Sequence, residues 1–204
     1  MSSIFLYAVI CLSEGYSPAM QPRKQHLLDT AYRLFNEHGY HATGIDRILA
    51  ESGVSKATLY KYFRTKDDLI LAVLQQRHDQ LIQLIKQAIE RARERGESAP
   101  LAIFDVLDRW FRNDGFFGCN FINASAEYAA AGNPVYAFAA HHKTAIQQLL
   151  EQSLETIAKR KRKALAAQLA LLVDGAIVRA HTRGETTAAI LAKRMAAQLL
   201  AGQS

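Results

Sequence analysis

Residues 43–70 read TGIDRILAESGVSKATLYKYFRTKDDLI, and their spacing decides the fold. Thr43 stands where a helix N-cap belongs, with Asp46 three residues on and Ile45, Ile48 and Leu49 at helical spacing. Ser52-Gly53 ends this helix after about two turns, and Gly53 admits the left-handed backbone that a tight turn needs. Ser55 then caps a second short helix over residues 56–63. Two short helices across a Gly-containing turn make a helix-turn-helix. In the second helix Ala57, Leu59 and Phe63 are expected to pack inward, leaving Lys56, Thr58, Tyr60, Lys61 and Tyr62 exposed. Those side chains suit DNA: Lys for phosphates or guanine edges, Thr for base edges or the thymine methyl, Tyr hydroxyls for phosphates. On spacing alone, an ordinary helical hairpin with a polar face has the same outline.

Working outward, Leu27, Leu28, Ala31, Leu34 and Phe35 form one apolar face of a helix over residues 23–38, stopped by Gly39. Downstream, Thr65 caps a long fourth helix that keeps its period to about residue 95. Lys66, Asp67 and Asp68 open it, and the acids suit its positive end. Further helices are expected over residues 101–113, 119–131, 135–160, 163–183 and 186–201, with a charged bend at 161–163. The chain is thus expected to be all-α, with a DNA-binding part over residues 20–66 and a helical regulatory part over 67–204.

Composition agrees with this outline. Half of the 204 residues are hydrophobic and only four are Pro, so a helical core is within reach. Residues 20–66 hold eight basic side chains (Arg23, Lys24, Arg33, Arg47, Lys56, Lys61, Arg64 and Lys66) against four acids, a net +4; residues 67–204 hold 17 against 14, only +3. The N-terminal part is the one biased toward a polyanion. Two cysteines, Cys11 and Cys119, suggest neither a disulfide framework nor a zinc cluster and fit a reducing, cytoplasmic setting. No apolar run reaches the roughly 18 to 20 residues of a membrane span. Ile4 to Leu12 is apolar but has no basic residue before it, unlike a signal peptide. Met20 is the expected natural start, with residues 1–19 a non-native or disordered extension.

The residues themselves say more than the spacing. Phe35-Asn36-Glu37-His38-Gly39-Tyr40, then Thr43, Ile45, Ile48, Ser52-Gly53-Val54-Ser55 and Leu59-Tyr60-Lys61-Tyr62-Phe63, followed by Lys66 and Leu69, resemble the TetR family of bacterial regulators over residues 22–74. The resemblance implies a helix-turn-helix head joined by a long helix to a ligand-binding and dimerising body. It places Thr43 and Arg47 near phosphates or the groove edge, and Ser55, Lys56, Thr58 and Lys61 toward the major groove. Tyr60 and Tyr62 would donate to phosphates, and Lys66 would hold one jointly with the positive end of its helix. Lys61-Tyr62 departs from the commoner Tyr-His at that point, which leaves open which side chain makes which contact.

Beyond residue 75 the resemblance loosens. Residues 118–143 look like a family subset with Gly118-Cys119, Ala126-Glu127 and Asn133-Pro134. Members bind a small effector among these helices and form homodimers. Trp110, Phe111, Phe117 and Tyr128 offer aromatic lining for a pocket, and Asn120, Asn123, Glu127 and His141 its few polar groups, with plain core packing the simpler role for most of the aromatics. Cys119, near a helix start, is a candidate thiol sensor. Stripes at Ala145, Ile146, Leu149, Leu150, Leu154 and Ile157, and at Leu165, Leu169, Leu172, Val173, Ala176, Ile177 and Ala180, mark a homodimer face on residues 143–160 and 163–183. The run Lys159-Arg160-Lys161-Arg162-Lys163 reads as a solvated bend.

The expected activity is that of a repressor binding a near-palindromic operator as a homodimer and released by a small effector. The alternative is gating by a protein partner or by thiol modification. No nucleophile–base set, phosphate loop or metal-ligand spacing points to an enzyme, a metal or a cofactor; His141 and His142, adjacent on a helix, point apart.

Overall fold

Leu27, Ala31, Leu34, Ile48, Leu59, Leu69, Ile70 and Leu74 are all fully buried, so the apolar stripes of the first four helices meet in one place. The computed structural model describes residues 22–130 and 132–202, and the expectations for residues 1–19 lie outside them. The described chain is all helix: α1 (Pro22–His38), α2 (Ile45–Ser52), α3 (Lys56–Tyr62), α4 (Lys66–Glu94), a 3-10 turn (Ala99–Leu101), α5 (Ala102–Phe111), α6 (Asn120–Glu127), α7 (Pro134–Ser153), α8 (Lys159–Arg183) and α9 (Ala188–Ala201). Helix α1 packs on α2, α3 and α4, forming the head. Helix α4 runs on to pack against α5 and α7; α8 lies between α7 and α9, and α9 returns to α5, forming the body.

Local capping sets the head's boundaries. Ser55 accepts from the Thr58 N–H to start α3, and Thr65 with Asp68 forms a reciprocal capping box at the start of α4. Gly53, at φ +63°, ends α2 in the left-handed conformation that a side chain resists.

Helix α8 begins earlier than its charges suggest. The bend lies at residues 154–158, and the basic run forms the first turns of α8 itself. The Arg162 guanidinium donates to the carbonyls of Ile157 (2.8 Å) and Glu155 (2.7 Å), tying that bend to the helix. By length and composition α8 could cross a membrane. However, it buries Leu165, Ala166, Leu169, Val173, Ala176, Ile177 and Ala180 within this chain, as a core helix of the body does.

Both stripes expected at the homodimer face are largely used up inside the chain. Ile146, Leu149, Leu150 and Leu154 of the first, and Leu165, Leu169, Val173 and Ala176 of the second, are all buried. The outer apolar surface lies elsewhere, at Leu171 and Val178 on α8 and at Leu191 and Met195 on α9.

Candidate nucleic-acid interface

Helix α3 is anchored by Leu59, fully buried, and by Phe63 at its C-cap. Lys56, Tyr60 and Lys61 are exposed, as the sequence suggests; Thr58 and Tyr62 are half-buried. Ala57 is exposed instead of packed, because a seven-residue helix on a small core buries only a narrow stripe. The Ser55 and Thr58 hydroxyls pair at 2.8 Å, which orders the entry to the helix. Lys56 sits 3.8 Å from Asp46, a loose exposed pair worth little in water. Lys61 makes no ion pair among the described residues. The N-terminus of α1 joins this face: Pro22 and Arg23 line a shallow groove with Thr58, Lys61 and Tyr62. Sequence reasoning counted Arg23 only toward net charge, since only the packing of α1 on α3 brings it there.

Two residues do not sit as the sequence suggests. Thr43 does not cap α2; Gly44 occupies that position without a side-chain bond. Thr43 is fully buried, and its hydroxyl lies 2.7 Å from the Gly39 carbonyl and 3.2 Å from that of Leu34. It is a latch between the end of α1 and the start of α2, out of reach of a phosphate. A Thr43→Val change should therefore lower the unfolding free energy by about 1–2 kcal/mol in denaturant titrations. The salt dependence of DNA binding should not change, and a smaller slope would return Thr43 to the interface. Lys66, expected to hold a phosphate, is half-buried with its ammonium 3.3 Å from the His41 carbonyl, and burial lowers its pKa.

Arg47 is exposed but engaged within the head. It donates to Glu51 at 3.1 Å and lies 2.8 Å from the His38 ring. Arg33 also pairs with Glu51, and the hydrogen bonds from Arg33 and Arg47 hold that carboxyl below the ordinary carboxylate range.

Behind the head lies a clasp to the body. The Glu127 carboxylate, at the end of α6, accepts from the backbone N–H groups of Tyr40 (2.9 Å) and His41 (2.6 Å). The Tyr40 hydroxyl donates to the Asn120 carbonyl at 3.1 Å, and the Asn120 amide donates to Asn36 at 3.1 Å. The His41 ring stacks on Tyr128 with centroids 4.6 Å apart, and the Tyr128 hydroxyl donates to Asp67 at 3.3 Å. Burial, then the Asp67 charge, pushes the Tyr128 phenol up to about 12. Gly39 completes the fit: φ is +85°, and a Cβ there would lie 3.1 Å from the Glu127 carboxylate.

Residues 27–73, which form most of α1, all of α2 and α3 and the start of α4, match the family model for bacterial regulatory proteins of the tetR family. A TetR-family transcriptional regulator from Streptomyces coelicolor superposes with a TM-score of 0.77 and 32% identity, covering 90% of this chain and 97% of that one. The chain belongs to the TetR family of transcriptional regulators. A curated relative, the HTH-type transcriptional activator FasR of Mycolicibacterium smegmatis, is 40% identical over 89 residues. That stretch is 42% of this chain and 41% of FasR, so the chain spans less than half of that relative. The multidrug binding protein EbrR, solved with malachite green, shares the fold (TM-score 0.69, 18% identity, 88% of this chain and 98% of that one).

In this TetR-family regulator the eight residues expected to line an effector pocket are scattered. Trp110 lines a cavity between head and body. Phe111 is core, Phe117 is partly exposed, and the Asn123 amide donates to the Phe117 carbonyl at 3.2 Å. Asn120, Glu127 and Tyr128 belong to the clasp. His141 is exposed, 5.4 Å from the His78 ring, while its neighbour His142 is buried and stacked on Phe121 at 3.5 Å. Burial, with nearby positive charge, drives the His142 pKa down to about 2, so that ring is neutral. Cys119 is a free, buried thiol at the α6 N-cap. Burial works against the charge on the neighbouring Lys143, but Cys119 and Asp174 outweigh it and raise the lysine's pKa.

Proposed function

We propose that this regulator is a cytoplasmic repressor that binds a near-palindromic operator as a homodimer and is released by a small-molecule effector. The observation that carries the reading is the α3 face, with Lys56, Tyr60 and Lys61 exposed on a helix held by a side-chain cap and a buried Leu59. In this reading Ser55 and Thr58 approach base edges, Tyr60 and Tyr62 approach phosphates, and Arg23 adds a phosphate contact from α1. Arg47 reaches the backbone once it exchanges Glu51 for a phosphate.

In this reading the homodimer forms through α8 and α9. Leu171 and Val178 lie two turns apart on α8, and Leu191 and Met195 one turn apart on α9. Two copies of this pair make a four-helix interface. The two heads then meet successive major grooves about 34 Å apart, and an effector that favours another spacing lowers DNA affinity. A dimer covering two grooves blocks a promoter that overlaps its operator. FasR is named an activator, but the match covers only 41% of that protein, so its sign of regulation does not carry over to this chain.

The test is a salt titration on operator DNA obtained by selection. Lys61→Ala should reduce the slope of log affinity against log salt by about 0.9 per lost phosphate contact, so by about 1.8 for a dimer with two heads. Binding should weaken on all sequences alike, and an unchanged slope would remove Lys61 from the phosphate contacts.

A further inference from the structure

The cavity between head and body has a volume of about 180 Å³. Leu28 and Tyr32 of α1 form one wall, Val73 and Arg77 of α4 another, and Trp110 with the loop after α5 the third. Two buried side-chain atoms lack a hydrogen-bond partner among the described residues: Gln76 Oε1 and Arg77 Nε. Both residues line this cavity. Arg77 is only 6% exposed, makes no ion pair among the described residues, and rests on the Tyr32 ring at 5.6 Å. A buried guanidinium without an anion is costly, and so is a buried carbonyl without a donor. The Gln76 amide is oriented by its Nε2, which donates to Asp29 at 3.1 Å, so its oxygen is the unpaired end. Asp29 is not the missing counterion: it sits exposed at the mouth, with the same oxygen already held by Gln25 and Gln76.

We infer that this cavity is a binding site for a small carboxylate with a one-ring apolar body and a hydroxyl donor. The carboxylate accepts from Arg77, the hydroxyl donates to the Gln76 carbonyl, and the ring lies among Tyr32, Val73 and Trp110. The size fits, since a cavity of roughly 150 Å³ holds benzene in another protein. A single negative charge fits better than a phosphate dianion, because Asp29 stands at the mouth. The site bridges α1 of the head and α4 of the body, where occupancy bears on head orientation. That consequence rests on the effector reading above; the binding itself does not.

Trp110 is the sole tryptophan of the chain and lines the cavity, so binding is read from its fluorescence without DNA. The probe is 4-hydroxybenzoate, compared with 4-hydroxybenzamide, which lacks the charge, and benzoate, which lacks the donor. The acid should bind saturably, the amide about tenfold to a hundredfold more weakly, and benzoate several-fold more weakly. Arg77→Gln, checked for folding by circular dichroism, should erase the preference for acid over amide. Equal binding of acid and amide to the wild type overturns the inference, as does an unchanged preference in Arg77→Gln, since either removes the Arg77–carboxylate contact; no saturable response overturns it too and leaves a water-filled cavity. The wild-type comparison stands even if the variant does not fold. If the acid binds with the expected preference and operator affinity is unchanged, the site is upheld and the effector reading falls.

Discussion

A Leu171→Glu substitution is expected to yield a folded monomer whose affinity for a two-half-site operator is at least about a hundredfold lower. Leu171 is 73% exposed, more than any other large apolar side chain of the described residues. Val178, Leu191 and Met195, on the same two packed helices α8 and α9, are also exposed. A two-fold interface uses one patch twice, so the new carboxylate enters it twice. Burying each costs several kcal/mol without a cationic partner. The DNA effect follows from linkage, because a monomer loses the effective concentration with which one bound head supplies the other. A hundredfold is about 2.7 kcal/mol, the lower end of the roughly 10² to 10⁴ gain that such linkage gives. Sedimentation equilibrium gives the oligomeric state, and titrations on full and half operators give the affinity. Half-site affinity should be unchanged, because α3 is untouched. Ile146→Glu is the contrast: Ile146 is 7% exposed inside the chain, so that variant should lose helical signal instead of dissociating. A Leu171→Glu protein that stays dimeric would move the interface off this surface.

The head was legible because its signals are local. Ser55 caps three residues away, Thr65 and Asp68 cap each other, and Gly53 sits at the turn that requires it. Thr43 misled by the same logic. It matches a local capping pattern, but its acceptors are behind it, at Leu34 and Gly39. In the body, periodicity reported which faces are apolar and was silent on what covers them. The stripes at Ile146–Leu150 and Leu165–Ile177 are buried by their own chain, while the uncovered residues Leu171 and Val178 interrupt the pattern and escaped notice. Glu127 and Asn120 were conspicuous as polar residues among aromatic and small ones. Their partners lie more than 80 residues upstream, and no spacing rule relates them.

Glu127→Ala is expected to loosen the head from the body and to speed amide hydrogen exchange in α2 and α3 by about tenfold to a hundredfold. The carboxylate receives two backbone N–H groups in the loop that leads from α1 to α2. Charge-assisted bonds of this kind contribute roughly 1.5–3 kcal/mol each. The two do not count equally. Tyr40 is buried, so its N–H is left without a partner, whereas His41 is exposed and its N–H turns to water. The net loss is therefore closer to one bond than to two, which sets the expected range. The effect should be confined to sub-global opening of the head, because α6 keeps Phe121 and Ala124 buried in the body. Glu127→Gln keeps one acceptor oxygen and should fall between the two. The remaining links, from Tyr40 to Asn120 and from His41 to Tyr128, keep the head attached. Unchanged exchange in Glu127→Ala would assign the clasp to those links alone. Faster exchange in both head and body would instead make Glu127 a determinant of global stability. Selective acceleration makes α6 the element through which a change in the body reaches the loop before α2, and so bears on the angle at which α3 meets DNA.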